Sequence, residues 1–230
     1  LDGTARQYLN VAVASSVPVP EHFSDEEAAT LCCAAITAWN ALAEMPETAV
    51  DGGTVVTLGT GGVSLFALQL AKARGARVIA TSSSDDKLAR LRALGADETI
   101  NYSKTPEWGK AVLGLTDGRG ADLVVEIGGA DTIAQSMRAT RADGTMSLIG
   151  NVGGSVAEIN LPLVFMFRKR MIGISTGSVA DFQAMMAHLD DKPDFHPALD
   201  GHIYDFEGLS EALQALPKGR HFGKIVVRVG

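Results

Sequence analysis

A glycine-rich turn between a short apolar run and an amphipathic segment constrains the fold more than any other feature of the chain. The turn reads Gly-Thr-Gly-Gly-Val-Ser over residues 59–64 and follows an apolar run at 54–58. Apolar residues then recur at helical spacing, and a second apolar run at 77–81 follows Gly75. This order predicts a strand–helix–strand unit with the glycines at the strand-to-helix turn.

Glycines at such a turn bring backbone N–H groups close to a pyrophosphate, whose charge the positive end of the helix then meets. The pattern therefore predicts a dinucleotide site, to which we assign Gly59, Thr60, Gly61, Gly62 and Val63. A nucleoside-triphosphate loop is disfavoured because no Gly-Lys-Ser/Thr closes the turn. A methyltransferase-type loop stays as an alternative. Ser64 stands where the dinucleotide pattern has Gly or Ala, and its small side chain is expected to be tolerated.

Bulk properties favour small-molecule chemistry. The chain has 230 residues, of which 46% are hydrophobic, and a formal charge of −7 without a lysine or arginine run. These values predict one full domain and part of another, with no nucleic-acid or membrane partner. Cys32 and Cys33 are adjacent and fit neither a disulfide framework nor a zinc knot, so a cytoplasmic location is expected. No leader or membrane span is evident. Because the chain opens with Leu1 and not with methionine, we expect a fragment of a longer protein.

Short apolar runs alternate with helical patterns along the middle of the chain. Helical patterns lie at 86–94 and 132–141, and six strands are predicted at 54–58, 77–81, 98–101, 122–127, 145–149 and 171–175. This alternation predicts an α/β fold with a doubly wound, parallel, six-stranded Rossmann sheet. Its ligand crevice is expected at the carboxyl ends of the strands. The flanks differ, with a strand predicted at 6–14, a helix start at Ser24, a helix over 209–216 and a strand at 225–229.

Four segments of the chain carry a family resemblance. They are residues 31–42 (Leu-Cys-Cys-Ala-Ala-Ile-Thr-Ala-Trp-Asn-Ala-Leu), 94–97 (Leu-Gly-Ala-Asp), 100–102 (Ile-Asn-Tyr) and 221–226 (His-Phe-Gly-Lys-Ile-Val). Together with the glycine turn, they resemble the medium-chain dehydrogenase/reductase superfamily, most closely its quinone oxidoreductase-like and zinc-type alcohol dehydrogenase-like members. The resemblance implies a remnant of a GroES-like, β-rich catalytic domain at 1–36, a Rossmann domain at 37–177 and a return to the catalytic domain at 178–230. Most of the amino-terminal part of that domain is then absent.

The resemblance also implies further cofactor-binding residues. It places Thr37 beside the nicotinamide, Tyr102 beside the adenosine phosphate and Lys224 toward the pyrophosphate. Backbone at the strand ends is expected to line the nicotinamide pocket, through Ile127, Gly128, Gly150, Asn151, Ser175 and Thr176. Each has a structural alternative: Thr37 bonding its own helix, Tyr102 covering the sheet edge, Lys224 in solvent and the glycines as plain loop residues.

Cys33 aligns with the position of a zinc ligand in zinc-bearing members of the superfamily. A cysteine among alanines is more typical of a small core residue, so we predict no metal site. Family members often dimerise through the edge strands of two Rossmann sheets, which makes 171–175 the candidate edge of a homodimer.

The end of the second predicted strand bears on the choice of cofactor. An NAD site usually places a carboxylate there, whereas this chain has Thr-Ser-Ser-Ser at 81–84. Hydroxyls of Ser82 and Ser83 would donate to a 2′-phosphate and Lys87 would neutralise it, so NADP(H) is favoured over NAD(H). The alternative is that Ser84 caps the next helix and Lys87 is solvated.

These features predict an NADPH-dependent oxidoreductase that transfers hydride to or from a small carbonyl, alcohol, quinone or enone. The alternative is a catalytically inactive nucleotide-binding sensor or interaction module. No Ser-His-Asp set or carboxylate pair supports a hydrolase, the histidines show no ligand spacing, and no catalytic side chain is assigned.

Overall fold

A parallel sheet forms the centre of the molecule. The computed structural model describes residues 3–46, 49 and 52–229. The strands are β1 (Thr54–Leu58), β2 (Arg77–Ser82), β3 (Glu98–Asn101), β4 (Ala121–Glu126), β5 (Thr140–Leu148) and β6 (Arg170–Gly173). They stand in the order β3-β2-β1-β4-β5-β6, with parallel pairing throughout. The predicted doubly wound Rossmann sheet is confirmed, and its order reverses between β1 and β4, where such sheets bind ligands.

Helices cover both faces of this sheet. They are α1 (Asp25–Ala28), α2 (Ile36–Ala43), α3 (Gly62–Ala73), α4 (Asp85–Ala93), α5 (Trp108–Leu115), α6 (Ile133–Ala139), α7 (Leu161–Phe165), α8 (Val179–Asp190) and α9 (Leu209–Ala215). Because successive side chains of a strand point to opposite faces, Val55 joins the core beneath α2 and α3 and Val56 the core beneath α5 and α6. No helix of the described part of the chain is long and apolar enough to cross a bilayer.

A second, two-stranded sheet lies beside the glycine turn. It pairs β7 (Leu199–Asp205) with β8 (Lys224–Arg228), so the strand predicted at 225–229 is present one residue earlier. An isolated bridge between Gly61 and Gly223 joins the start of β8 to the turn. Met185 and Leu189 of α8 are fully buried in the same core as α3. The domain boundaries inferred from the sequence stay a prediction.

The structure corrects several local predictions. Residues 6–14 form no strand: they are exposed, with Tyr8 88% accessible, and have only a 3₁₀ turn at Val13–Ser15. The helix that Ser24 caps ends after one turn, at Ala28. β5 begins at Thr140, which pairs with Ala121, so the helix predicted over 132–141 ends earlier, at Ala139. α5, α7 and α8 had no counterpart among the predicted helices.

Candidate nucleotide-binding site

The glycine turn connects β1 to α3 at the carboxyl edge of the sheet. Gly59 adopts a φ of +73°, a conformation that favours glycine, and its N–H donates to the Thr81 carbonyl at the end of β2 (3.0 Å). Ser64 is buried, and its hydroxyl donates to the Leu58 carbonyl (2.6 Å). The small residue at this position is therefore tolerated, as predicted, and it also ties the first turn of α3 to β1.

The turn has the shape and the donors that a pyrophosphate requires. A Cβ on Gly59 or Gly61 would meet no atom within 4 Å, so the backbone lies open on this side. Gly61 is the N-cap of α3, and no side chain of the described residues caps that helix end. The N–H groups of its first turn thus keep capacity for an anion, which the helix dipole also favours. These residues fit a bound dinucleotide phosphate.

A cavity of about 510 Å³ continues from the turn along the ends of β1, β2 and β4. It brings together Gly59, Tyr102, Ile127 and Gly128 of the predicted site. The remaining wall is Leu58, Thr81, Pro106, Trp108, Asp131, Thr132, Gln135, Val152 and Gly153. Tyr102 is 41% exposed, which leaves its ring accessible to a ligand. The mixture of apolar surface and hydroxyl groups is typical of a nucleoside pocket.

Lys224 lies over the turn. Its Cδ is 2.5 Å from the point that a Cβ on Gly62 would occupy, so the stem of the lysine fills the space that this glycine leaves. Gly223, immediately before it, donates its N–H to the Thr60 carbonyl (2.9 Å). The structure thus places Lys224 at the turn and half-buried, and its contact with a pyrophosphate stays a prediction.

Near the end of β2, the serines and Lys87 make contacts within the protein itself. Ser82 is buried and its Oγ accepts from the Ser84 N–H (3.3 Å), whereas Ser83 is exposed. Ser84 caps α4 by accepting from the Lys87 N–H, which confirms the alternative for Ser84. The Lys87 ammonium donates to the carbonyls of Gly219 (2.8 Å) and His221 (2.9 Å). Burial, and then the charge of Arg90, lower the pKa of Lys87 below its ordinary value. Lys87 is therefore not simply solvated, and its contact with a 2′-phosphate stays a prediction.

Thr37 and the two cysteines lie at the junction of a π-helical stretch, Leu31–Ala35, with α2. The buried Thr37 hydroxyl donates to the Cys33 carbonyl (2.7 Å), which confirms the alternative that it bonds its own helix. Cys32 and Cys33 are both exposed, so the expectation that Cys33 is a core residue is wrong; the inward positions of this stretch are Leu31, Ala34 and Ala35. Within the described ranges, no group of three His, Cys, Asp or Glu residues could hold a metal.

The loops after β4 and β5 pack against one another. A Cβ on Gly150 would lie 2.5 Å from the Ile127 carbonyl oxygen, and one on Gly129 would collide with Asn151 and Gly154. These glycines are therefore required for contact between the loops. Ser175 and Thr176 are exposed beyond β6, where the Thr176 carbonyl accepts from the Asn40 side chain (2.7 Å). Gly150, Asn151, Ser175 and Thr176 are not part of the wall of the 510 Å³ cavity.

Sequence reasoning missed Glu126, the last residue of β4. It is 1% exposed, and its Oε1 accepts from the N–H groups of Gly128 (2.7 Å) and Gly129 (3.0 Å) and from the Thr132 hydroxyl (2.5 Å). Its Oε2 accepts from the Ser136 hydroxyl. The sequence did contain a signal for this site, because Glu126 is a single carboxylate at the end of an apolar run. A carboxylate buried at that position requires hydrogen-bond donors.

Comparison with known proteins agrees with this geometry. A family model described as zinc-binding dehydrogenase matches residues 62–191, more than half of the chain. The chain is also 42% identical over 233 residues to a zinc-type alcohol dehydrogenase-like protein of Schizosaccharomyces pombe, with 99% of this chain and 67% of that protein covered. The chain belongs to the medium-chain dehydrogenase/reductase superfamily. The resemblance inferred from the sequence motifs is confirmed.

Solved structures extend the comparison. An NAD-dependent alcohol dehydrogenase superposes with a TM-score of 0.86 at 35% identity, over 99% of this chain and 66% of that one. The 2-octenoyl-CoA carboxylase reductase CinF, in complex with NADP and 2-octenoyl-CoA, superposes with a TM-score of 0.83 at 25% identity. This match covers 93% of this chain and 52% of that one. The chain thus spans about two thirds of the length of its alcohol dehydrogenase relatives or less.

Proposed function

We propose that this chain forms the NADP(H)-binding part of an oxidoreductase that transfers hydride to or from a small carbonyl, alcohol, quinone or enone. The observation that carries the proposal is the open glycine turn at the head of α3, continuous with a cavity along the strand ends. The alcohol dehydrogenase and reductase relatives support the same reaction class.

The bound cofactor would supply the hydride, and the protein would bind and orient it. The backbone from Gly59 to Val63, with the uncapped end of α3, would hold the pyrophosphate. Lys224 would place its positive charge beside those phosphates, because its stem already lies on Gly62. Tyr102 would lie beside the adenosine phosphate, and the backbone at Ile127 would line the nicotinamide pocket.

The preference for NADP(H) rests on the end of β2. No carboxylate stands within Thr81 to Ser84 to hydrogen-bond a ribose 2′-hydroxyl or to repel a 2′-phosphate. Ser83 is exposed there and offers a hydroxyl. The relatives include both an NAD-dependent dehydrogenase and an NADP complex, so the preference comes from these residues of the chain itself.

Gly61→Ala tests the site without disturbing the fold. Gly61 has φ −77° and ψ 171°, which alanine adopts without strain, and the added methyl would enter the open space over the turn. In the full-length protein, fluorescence titration should show NADPH binding more tightly than NADH, and Gly61→Ala should weaken both by roughly tenfold or more. The melting temperature should stay within about 2 °C of the wild type.

Gly114→Ala is the matched control, because Gly114 lies exposed on α5 and its Cβ would also meet nothing within 4 Å. It should leave both dissociation constants unchanged. Absence of nucleotide binding by the wild type would refute the proposal. Binding without oxidation of NADPH by any member of a panel of enones, quinones and aldehydes would refute the enzymatic part and favour a nucleotide-binding module without turnover.

A further inference from the structure

Two carboxylates stand immediately beyond the serines that the sequence assigns to the 2′-phosphate. Asp85 and Asp86 are the first residues of α4 and directly follow Ser84. They suit the positive end of the helix, yet a negative charge beside a 2′-phosphate opposes the binding of NADP(H) by Coulomb repulsion. The proposed preference for NADP(H) therefore requires that this charge be balanced.

Asp85 is held against the turn after β3 by two side chains. Its Oδ1 accepts from the Asn101 amide (2.7 Å), and its Oδ2 accepts from the Lys104 ammonium (2.5 Å). The Asn101 side chain is itself fixed, because its Oδ1 accepts from the backbone N–H groups of Ser103 (3.1 Å) and Lys104 (3.4 Å). Both oxygens of the Asp85 carboxylate thus have a donor from the end of β3 or the turn that follows it.

The turn after β3 adjoins the candidate nucleotide site. Asn101 pairs with Ser82 in the parallel ladder of β2 and β3, and the N–H of the next residue, Tyr102, donates to the Ser82 carbonyl (3.1 Å). Tyr102 lines the 510 Å³ cavity. The ion pair that Asn101 helps to fix therefore lies at the edge where β2 and β3 end, beside the position that the sequence predicts for the 2′-phosphate.

Lys104 balances the charge of Asp85 without withdrawing it from water. Both side chains are exposed, 67% for Lys104 and 61% for Asp85. The bond from Lys104, and then that from Asn101, hold the pKa of Asp85 below its ordinary value, so the carboxylate is ionised at neutral pH and Lys104 supplies the compensating charge. Because an exposed pair adds little to stability, its effect is expected on the cofactor and not on the fold.

We propose that Lys104 determines cofactor preference through Asp85. As a positioning residue, it holds the Asp85 carboxylate on the turn after β3 and balances its charge, so that a 2′-phosphate meets no net repulsion from this pair. The inference rests on the proposed nucleotide site, and it is compatible with a direct contact between Lys87 and the 2′-phosphate. Without Lys104, the freed Asp85 carboxylate would repel a 2′-phosphate and would be available to a 2′-hydroxyl, as the carboxylate of an NAD site is.

The test is a double-mutant cycle in the full-length protein, made of Lys104→Met, Asp85→Asn and the double variant. Methionine keeps the apolar stem of the lysine and removes its charge, and asparagine keeps the shape of the carboxylate and removes its charge. Lys110→Met is the matched control, because Lys110 is an exposed lysine on α5 and its removal changes the net charge by the same amount. The readouts are the dissociation constants of NADPH and NADH, measured by fluorescence titration at low and at high salt.

Lys104→Met should weaken NADPH binding roughly threefold to fivefold, as for one charge that acts through water, and should leave NADH bound as tightly as before or more tightly. In the Asp85→Asn background the same substitution should change the NADPH constant by less than about twofold, because Lys104 then has no carboxylate to hold. The loss caused by Lys104→Met should shrink at high salt, since both groups are exposed. Lys110→Met should change neither constant.

The same loss of NADPH affinity in both backgrounds would overturn the inference and assign Lys104 directly to the 2′-phosphate. Equal weakening of NADPH and NADH would also overturn it, because that result indicates a structural role of the turn after β3. Unchanged constants for Lys104→Met, in a wild type that binds both nucleotides, would defeat the inference alone. If the wild type binds neither nucleotide, the proposed function fails and the inference fails with it.

Discussion

The two ends of β4 each bury a carboxylate, and they satisfy it in opposite ways. Asp122, at the amino end, is 0% exposed and faces two arginines: Arg141 at 2.6 Å, and Arg119 through bonds of 2.7 and 3.0 Å. It also accepts from the Thr54 N–H (2.8 Å). Glu126, at the carboxyl end, is 1% exposed and accepts from neutral donors, two backbone N–H groups and two hydroxyls.

The origin of the partners differs as much as their charge. Those of Asp122 come from β1, from the loop before β4 and from β5, so this carboxylate fastens separate elements together. Those of Glu126 lie within ten residues after it, in the loop and helix that follow β4. Asp122 is therefore expected to govern the stability of the whole sheet, and Glu126 the shape of one loop at the cavity. Substitution of either carboxylate tests this difference in role.

Asp122→Ala should give the largest effect. It leaves the buried Arg141 facing a site from which its carboxylate has been removed, and breaking a buried ion pair from one side costs about 3–5 kcal/mol. Urea denaturation should show this loss in the free energy of unfolding. At a temperature where the variant is folded, its affinity for NADPH should equal that of the wild type.

Glu107→Ala is the control for that prediction. It removes a carboxylate from an exposed pair with Arg138 and should cost below about 1 kcal/mol. A loss of that small size for Asp122→Ala would contradict a fastening role for Asp122. A change in its NADPH affinity would contradict the separation between the two ends of the strand.

Glu126→Gln should give a smaller loss of stability and a larger loss of function. An amide group in place of one carboxylate oxygen presents a donor to groups that already donate, which costs about 1–3 kcal/mol. Because Gly128 and Thr132 line the cavity, the loop should shift and NADPH should bind roughly tenfold more weakly. Unfolding in urea and fluorescence titration measure the two effects. A stability loss with unchanged affinity would show that Glu126 only supports the fold.

The same contrast explains what sequence could predict. Parallel strands and the glycine turn have local signatures, because apolar runs and glycine spacing follow from the short-range geometry of the chain. The partners of Lys87, and two of the partners of Asp122, Thr54 and Arg141, lie in other elements, and no local sequence pattern identifies them. β5 was predicted too short because its first residues, including Asp143 at φ +57°, break the apolar pattern while still pairing with β4 at Thr140. Residues 6–14 have the composition of a strand, yet the described structure contains no strand that pairs with them.

The smallest effect is the pH dependence that Asp122 should add to stability. Burial by itself raises the pKa of Asp122, but the Thr54 N–H and the guanidinium groups of Arg141 and Arg119 outweigh it, so the pKa lies below the ordinary 3.8. A carboxyl group whose pKa is lower in the folded state stabilises the fold above its unfolded pKa, and this contribution is lost as the pH falls through the folded value. The difference in unfolding free energy between the wild type and Asp122→Asn should therefore be constant near neutral pH and shrink as the pH falls below about 4, by less than the roughly 3–5 kcal/mol expected for alanine. Urea denaturation of both proteins at each pH measures this difference. Asparagine does not titrate, so any pH dependence of the difference comes from Asp122. A difference that stays constant or grows on acidification would show that Asp122 is not held ionised by its arginines.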